Sequence, residues 1–231
     1  LRPGRGVQQA PHERPESSIY WSKLTCSGKV MRSNGPIRYI LTKVVAKLHP
    51  AITPLMALLD QPCPVERMSA VYALGRNPSP QAVEPLLKLL QTDSNAYVRK
   101  ATAWSLGNFP DAPILNPLIR ALQVDVAAVR LWCPGSLAEA GSRSPTKADP
   151  AAGQLLQSLR IDSEPVVRSN CIWALGRLCD QLVESRQKEL VEALVNALLH
   201  DSESSVRDEA KTALEQLEDP AVLARLQTLL D

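Results

Sequence analysis

An aspartate followed five to seven residues later by an arginine recurs along most of this chain, and it constrains the fold more than any other feature. The pairs are Asp60/Arg67, Asp93/Arg99, Asp125/Arg130, Asp162/Arg168 and Asp201/Arg207, and successive arginines lie 32, 31, 38 and 39 residues apart. Arg38, 29 residues before Arg67, marks an earlier unit that lacks its Asp. A self-similar period of this size signals stacked repeats rather than one globular core.

The same apolar rhythm follows each arginine. Seven residues on come Leu74, Leu106, Leu137, Leu175 and Leu214; eight on come Gly75, Gly107, Ala138 and Gly176, with Glu215 breaking the series. Small residues stand three and six on: Ala70/Ala73, Thr102/Ser105, Cys133/Ser136, Cys171/Ala174 and Ala210/Ala213. This spacing puts one stripe on an α-helix. Its small residues let neighbouring helices approach closely, and the Gly either ends the helix or permits tight packing beyond it. A second, Leu-rich helix is predicted each time, over 82–91, 112–123, 151–160, 190–199 and 221–230, with Pro85 and Pro117 near helix starts, where a missing N–H costs little. No stretch shows the alternation of a strand.

One helical hairpin cannot bury both apolar faces alone, so the units must stack. Asp in the turn and Arg one turn into the first helix of each unit form a structural ladder: the carboxylate caps backbone N–H groups and the guanidinium bridges to the next Asp. Composition agrees with thin layers of small aliphatic side chains, being 45% hydrophobic but only 4% aromatic, with a single Phe. Charge is unevenly placed. Residues 1–38 hold seven basic and two acidic residues, net +5, against +2 for the whole chain. No apolar run approaches a membrane span and the first residues lack a hydrophobic signal core, so the expectation is a cytoplasmic protein. Five cysteines without a CxxC pair agree with a reducing compartment.

The stretches VERMSAVYALGRNPSPQAVEPLLKLL, YVRKATAWSLGNFPDAPILNPLIRAL and VVRSNCIWALGRL resemble HEAT repeats, in particular the HEAT-like repeats of phycobilisome (bilin) lyases. The match covers residues 60–231 and extends back to about 36. The resemblance implies an all-α, right-handed α-solenoid of stacked helix-turn-helix repeats, about five to six of them, over 37–231. It implies a scaffold or chaperone-like binder whose partner is another protein, such as a phycobiliprotein or a second HEAT-repeat subunit. Trp104, Trp173 and Tyr72 stand five residues after an Arg, as in the R-x-x-x-x-W-x-L-G pattern of bilin-lyase repeats. They either fill the groove between adjacent first helices or contact a linear tetrapyrrole. The family also includes a type associated with iron–sulfur carriers, which would here use Cys133, Cys171 or Cys179.

Two segments depart from the pattern. VRLWCPGSLAEAG places Pro134 and Gly135 inside a first helix, with Trp132 displaced, and GSRSPTKADP (141–150) inserts about seven residues. A bend or break of the array near 133–150 is expected, from a surface insertion or a joint between sub-arrays. CDQLVESRQKE (179–189) is a milder expansion. Residues 1–36 fit no repeat and read as a basic arm or cap, with 17–30 as a short capping helix or a contact arm for an acidic partner; nucleic acid is the less favoured partner.

No catalytic constellation emerges. The three histidines (His12, His49, His200) form no metal motif, and no phosphate loop or nucleophile elbow is present. Cys133 and Cys171 fall at equivalent positions of adjacent units and read as buried thiols in the seam, or as ligands of a shared metal or cluster; Cys63, before Pro64, reads as an exposed thiol. A partner is expected on the second helices, taken as the concave face, where counting back from each Asp gives the polar row Lys88, Arg120, Gln157 and Asn196 and a parallel row of Glu84, Asn116 and Glu192.

Overall fold

The computed structural model describes residues 52–217, with 219, 220, 222–224 and 228 beyond them. The arm over 1–36, the unit around Arg38 and much of the last second helix lie outside the described residues. What is described is helical, with no strand. In chain order the helices are α1 (Ile52–Leu58), α2 (Pro64–Arg76), α3 (Val83–Thr92), α4 (Ala96–Leu106), α5 (Leu115–Val124), α6 (Ala127–Arg130), α7 (Cys133–Ser142), α8 (Pro145–Ile161), α9 (Pro165–Leu178), α10 (Glu184–His200) and α11 (Ser204–Gln216). Short 3-10 turns at Pro80–Ala82 and Cys179–Gln181 precede α3 and α10.

The helices form two layers. The Arg-bearing first helices α2, α4, α6/α7, α9 and α11 pack against one another in sequence order, and the second helices α3, α5, α8 and α10 do the same on the other side. Between the layers run fully buried large side chains, among them Leu74, Leu86, Leu106, Leu118, Leu137 and Leu155. Each layer buries only the face that its neighbours cover, as in any array stabilised by nearest-neighbour interfaces.

The first helices lie closer together than the second helices, and the residues explain why. A Cβ on Gly75 would stand 2.5 Å from the Ser105 Oγ, and one on Gly107 2.8 Å from the Ser136 Oγ. Both glycines therefore serve close approach, and neither needs a left-handed backbone. The serines are buried and spend their hydroxyls across the seam: the Ser105 Oγ donates to the Val71 carbonyl at 3.0 Å and the Ser136 Oγ to the Ala103 carbonyl at 2.7 Å. Gly176, at the same repeat position, has nothing within 4 Å of such a Cβ. The second helices meet instead through leucines and stand further apart.

In the segment 133–150, Pro134 does not interrupt a helix midway. The first helix of this unit divides into α6 and α7 at Leu131 and Trp132, and Pro134 falls in the first turn of α7, where helix N–H groups have no intrahelical acceptor anyway. The insertion over 141–150 is mostly helical: α7 ends at Ser142, and α8 begins at Pro145 and runs 17 residues, against 10 in α3 and α5. The expansion near 179–189 has the same outcome, since α10 begins at Glu184 and also runs 17 residues. The two extensions hold each other, with Arg186 pairing Asp149 at 2.9 Å and Arg160 pairing Glu189 at 2.9 Å.

Candidate protein-binding surface

The ladder fixes the register in which side chains meet from unit to unit. Arg67 pairs with Asp93, Arg99 with Asp125, Arg130 with Asp162 and Arg168 with Asp201, with closest N–O distances of 2.7, 2.6, 2.8 and 2.7 Å. Each pair is bidentate, the Nε and Nη2 of one guanidinium donating to both oxygens of one carboxylate, for example in Arg168 and Asp201. The Nη1 of Arg99, Arg130, Arg168 and Arg207 donates to the carbonyl of its own unit's Asp (Asp93, Asp125, Asp162 and Asp201), and that of Arg67 to the Gln61 carbonyl. The carboxylates also accept turn N–H groups: Asp93 from Asn95, Asp125 from Val126, Asp162 from Glu164 and Asp201 from Glu203. Among the described residues Asp60 enters no such pair; the Arg of the preceding unit, Arg38, lies outside them. The Arg168 hydrogen bonds hold the Asp201 carboxyl below its ordinary range. Burial pushes the Asp125 carboxyl up, but hydrogen bonds from Arg99 and the Val126 N–H outweigh it and its net shift is downward.

With the register fixed, aromatic side chains gather on the outer surface of the first helices. Tyr72 on α2 and Trp104 on α4 pack with ring centroids 5.4 Å apart and planes tilted by 60°. Trp132 follows in the α6–α7 break, with the Lys100 ammonium 5.2 Å from its ring centroid. Trp173 on α9 comes next, 45% exposed, under the Arg177 guanidinium at 5.2 Å. Arg177 is itself tied to Glu139 at 2.9 Å. Four consecutive units thus each place an aromatic side chain on this side of the first helices, Trp173 exposed and Tyr72, Trp104 and Trp132 half-buried. Trp132 escaped the sequence pattern because it stands two rather than five residues after its Arg; the break at 131–132 restores it to the row.

The polar row sits elsewhere. Lys88, Arg120, Gln157 and Asn196, and likewise Glu84, Asn116 and Glu192, are all exposed, but on α3, α5, α8 and α10, the outer surface of the more widely spaced layer. Beyond Trp173 the first-helix surface opens into a groove between α9 and α11, lined among others by Val166, Asn170, Trp173, Asp208 and Glu209. The Asn170 side chain reaches back to donate to the Leu131 carbonyl at 2.6 Å, capping the broken helix.

The cysteines do not build a site. Cys133 and Cys171 are fully buried, and burial drives both thiols far above the ordinary range, which suits small side chains in a seam. Cys179 is half-buried. Among the described residues, no three side chains of metal-binding type come together. Cys63 is half-buried at the N-cap of α2 and is not one of the free thiols, which corrects its reading as an exposed one. No helix among the described residues is long and apolar enough to cross a membrane.

Two layers of helices and a ladder between turns define an α-solenoid. The sequence model of the family described as HEAT repeats matches residues 52–138 and 150–231, and the chain belongs to that family. No curated protein matches it. Among solved structures it is similar to a designed armadillo repeat protein in complex with the peptide (KR)4, at 21% identity and a TM-score of 0.56, covering 78% of this chain and 98% of that one. It is also similar to the YibA protein of Escherichia coli, at 22% identity and a TM-score of 0.59, covering 84% and 68%. Kap95p, described as binding RanGDP, aligns at 18% identity and a TM-score of 0.50 over 81% of this chain and 25% of that one. These likenesses establish the fold alone.

Proposed function

We propose that this protein is an interaction scaffold that holds an extended segment of a partner protein along the outer surface of its first helices. The observation that carries this is the aromatic row Tyr72, Trp104, Trp132 and Trp173, one per unit on one face, half-buried at the first three and exposed at Trp173. Aromatic side chains at a surface supply large contact area at little entropic cost, which makes them the usual anchors of protein interfaces. The solved relatives support the reading: one repeat solenoid of this type holds a peptide, another is described as binding RanGDP. The test is affinity purification with the wild type and two variants, and identification of the retained protein. Trp104→Ala combined with Trp173→Ala is expected to lose the partner, while Lys88→Ala, Arg120→Ala and Gln157→Ala together keep it. The reverse result would return binding to the second-helix surface.

A second reading uses the same row. The tilted Tyr72–Trp104 pair offers aromatic surface for an open tetrapyrrole to contact, as the resemblance to bilin-lyase repeats implies. In this reading the protein acts on phycobiliproteins. Adding a linear tetrapyrrole, alone and with phycobiliprotein, and recording its absorbance separates the two, since an unshifted spectrum rejects bilin contact and leaves the scaffold standing.

A further inference from the structure

We propose that the groove between α9 and α11 seats a lysine or arginine side chain of the partner segment, its stem against Val166 and Trp173 and its charge between Asp208 and Glu209. The inference rests on the peptide-binding reading above and adds the chemistry of the segment. It comes from comparing the intervals along the row. Where α4 meets the α6–α7 break, the chain provides its own cation, Lys100, on Trp132. Where α7 meets α9, Arg177 lies over Trp173 and is neutralised by Glu139. Between α9 and α11 the arrangement is incomplete: an exposed tryptophan, a 53% exposed valine and two carboxylates share a groove that no basic side chain lines.

The cations nearby in sequence are committed elsewhere. Arg207 donates to the carbonyls of Asp201 and Ser202, Lys211 pairs with Glu215 at 3.9 Å, and Arg168 is bound to Asp201. Among the described residues, neither Asp208 nor Glu209 enters an ion pair. A partner carboxylate would meet like charge here, and a wholly apolar side chain would leave both acids facing it unpaired. A long cationic side chain satisfies both halves of the groove, packing its methylenes on the apolar wall while its head reaches the carboxylates.

The test is fluorescence anisotropy of two labelled octapeptides, one alternating Arg and Gly and one alternating Glu and Gly, against the full chain. The Arg peptide is expected to bind and the Glu peptide not to. Asp208→Asn with Glu209→Gln is expected to weaken Arg-peptide binding about tenfold or more, and Trp173→Ala to do likewise, whereas Glu84→Gln with Glu192→Gln, which removes the same charge from the other layer, leaves it unchanged. Equal binding by the Asn/Gln variant, an equal loss in the Glu84/Glu192 variant, or tight binding of the Glu peptide overturns the proposal. Retention of the native partner by the Asn/Gln variant but not by Trp104→Ala refutes the basic-segment groove while sparing the scaffold. An Arg peptide that needs Asp208 and Glu209, beside a native partner indifferent to Trp104 and Trp173, does the opposite.

Discussion

Asp201 shows how much one side chain of the ladder does. It accepts two hydrogen bonds from Arg168 of the preceding unit and one from the Glu203 N–H of its own, so it joins two units and shapes the entry of α11 together. Both partners of the ion pair are mostly buried. Replacing Asp201 by Ala leaves the Arg168 guanidinium without its acceptor, and the expected loss is on the order of 3 kcal/mol in a denaturant titration. Lys188 and Glu184 form an equally short pair in open solvent, and removing either is expected to leave the transition unmoved. The glycines give a matched contrast. Gly75→Ala forces a methyl against Ser105 and should cost about 1–3 kcal/mol. Gly176→Ala meets nothing and sits within α9, so it should gain up to about 1 kcal/mol from helix propensity. Thermal melts of the two variants should move in opposite directions. The ladder was legible in the sequence because Asp and Arg recur as types at fixed places. The difference between Gly75 and Gly176 was not, because the same repeat position meets Ser105 in one unit and open space in another.

At the scale of the element, the sequence signalled where the pattern fails but not what replaces it. Pro134 announces that a first helix cannot run through, yet the chain answers by dividing the helix, so that Pro134 lies in a first turn and Asn170 caps the exposed Leu131 carbonyl. The polar, proline-flanked stretch 141–150 has the composition of a loop. It is helical because Ala148, Ala151 and Ala152 find buried positions and Asp149 finds Arg186, which are tertiary gains that local propensity does not record. One cost remains: Pro150 is inside α8, where it supplies no N–H. Pro150 is exposed, so Pro150→Ala restores a hydrogen bond without disturbing packing and should stabilise the chain by about 1–3 kcal/mol. Hydrogen exchange resolved by residue is the appropriate measurement, with protection rising at 145–152 and unchanged in α3 and α5. No change at 145–152 would mean that the extension is held by the Arg186 pair alone.

Over the whole molecule, the ladder and the close packing of the first helices act together. The pairs run from Arg67 to Asp201, and small side chains at Gly75/Ser105 and Gly107/Ser136 draw the first helices together. This closer packing was hidden in the sequence because it is a difference between two layers, and small residues in one layer become informative only beside leucines in the other. Because stability in such an array is a sum of neighbour interfaces, a change that acts on several rungs at once should act on the whole. Acid is such a change. The folded-state pKa values of Asp125 and Asp201 lie below the unfolded value of about 3.9, so these groups contribute fully above that pH and lose their contribution as the pH falls through their depressed values. The thermal midpoint should therefore be level from about pH 7 to pH 5 and fall below about pH 4. A variant carrying Asp125→Asn and Asp201→Asn should start lower and show a shallower acid decline, because the protons that drive it no longer have these sites to bind. A decline of equal steepness in that variant would place the acid sensitivity outside these two rungs.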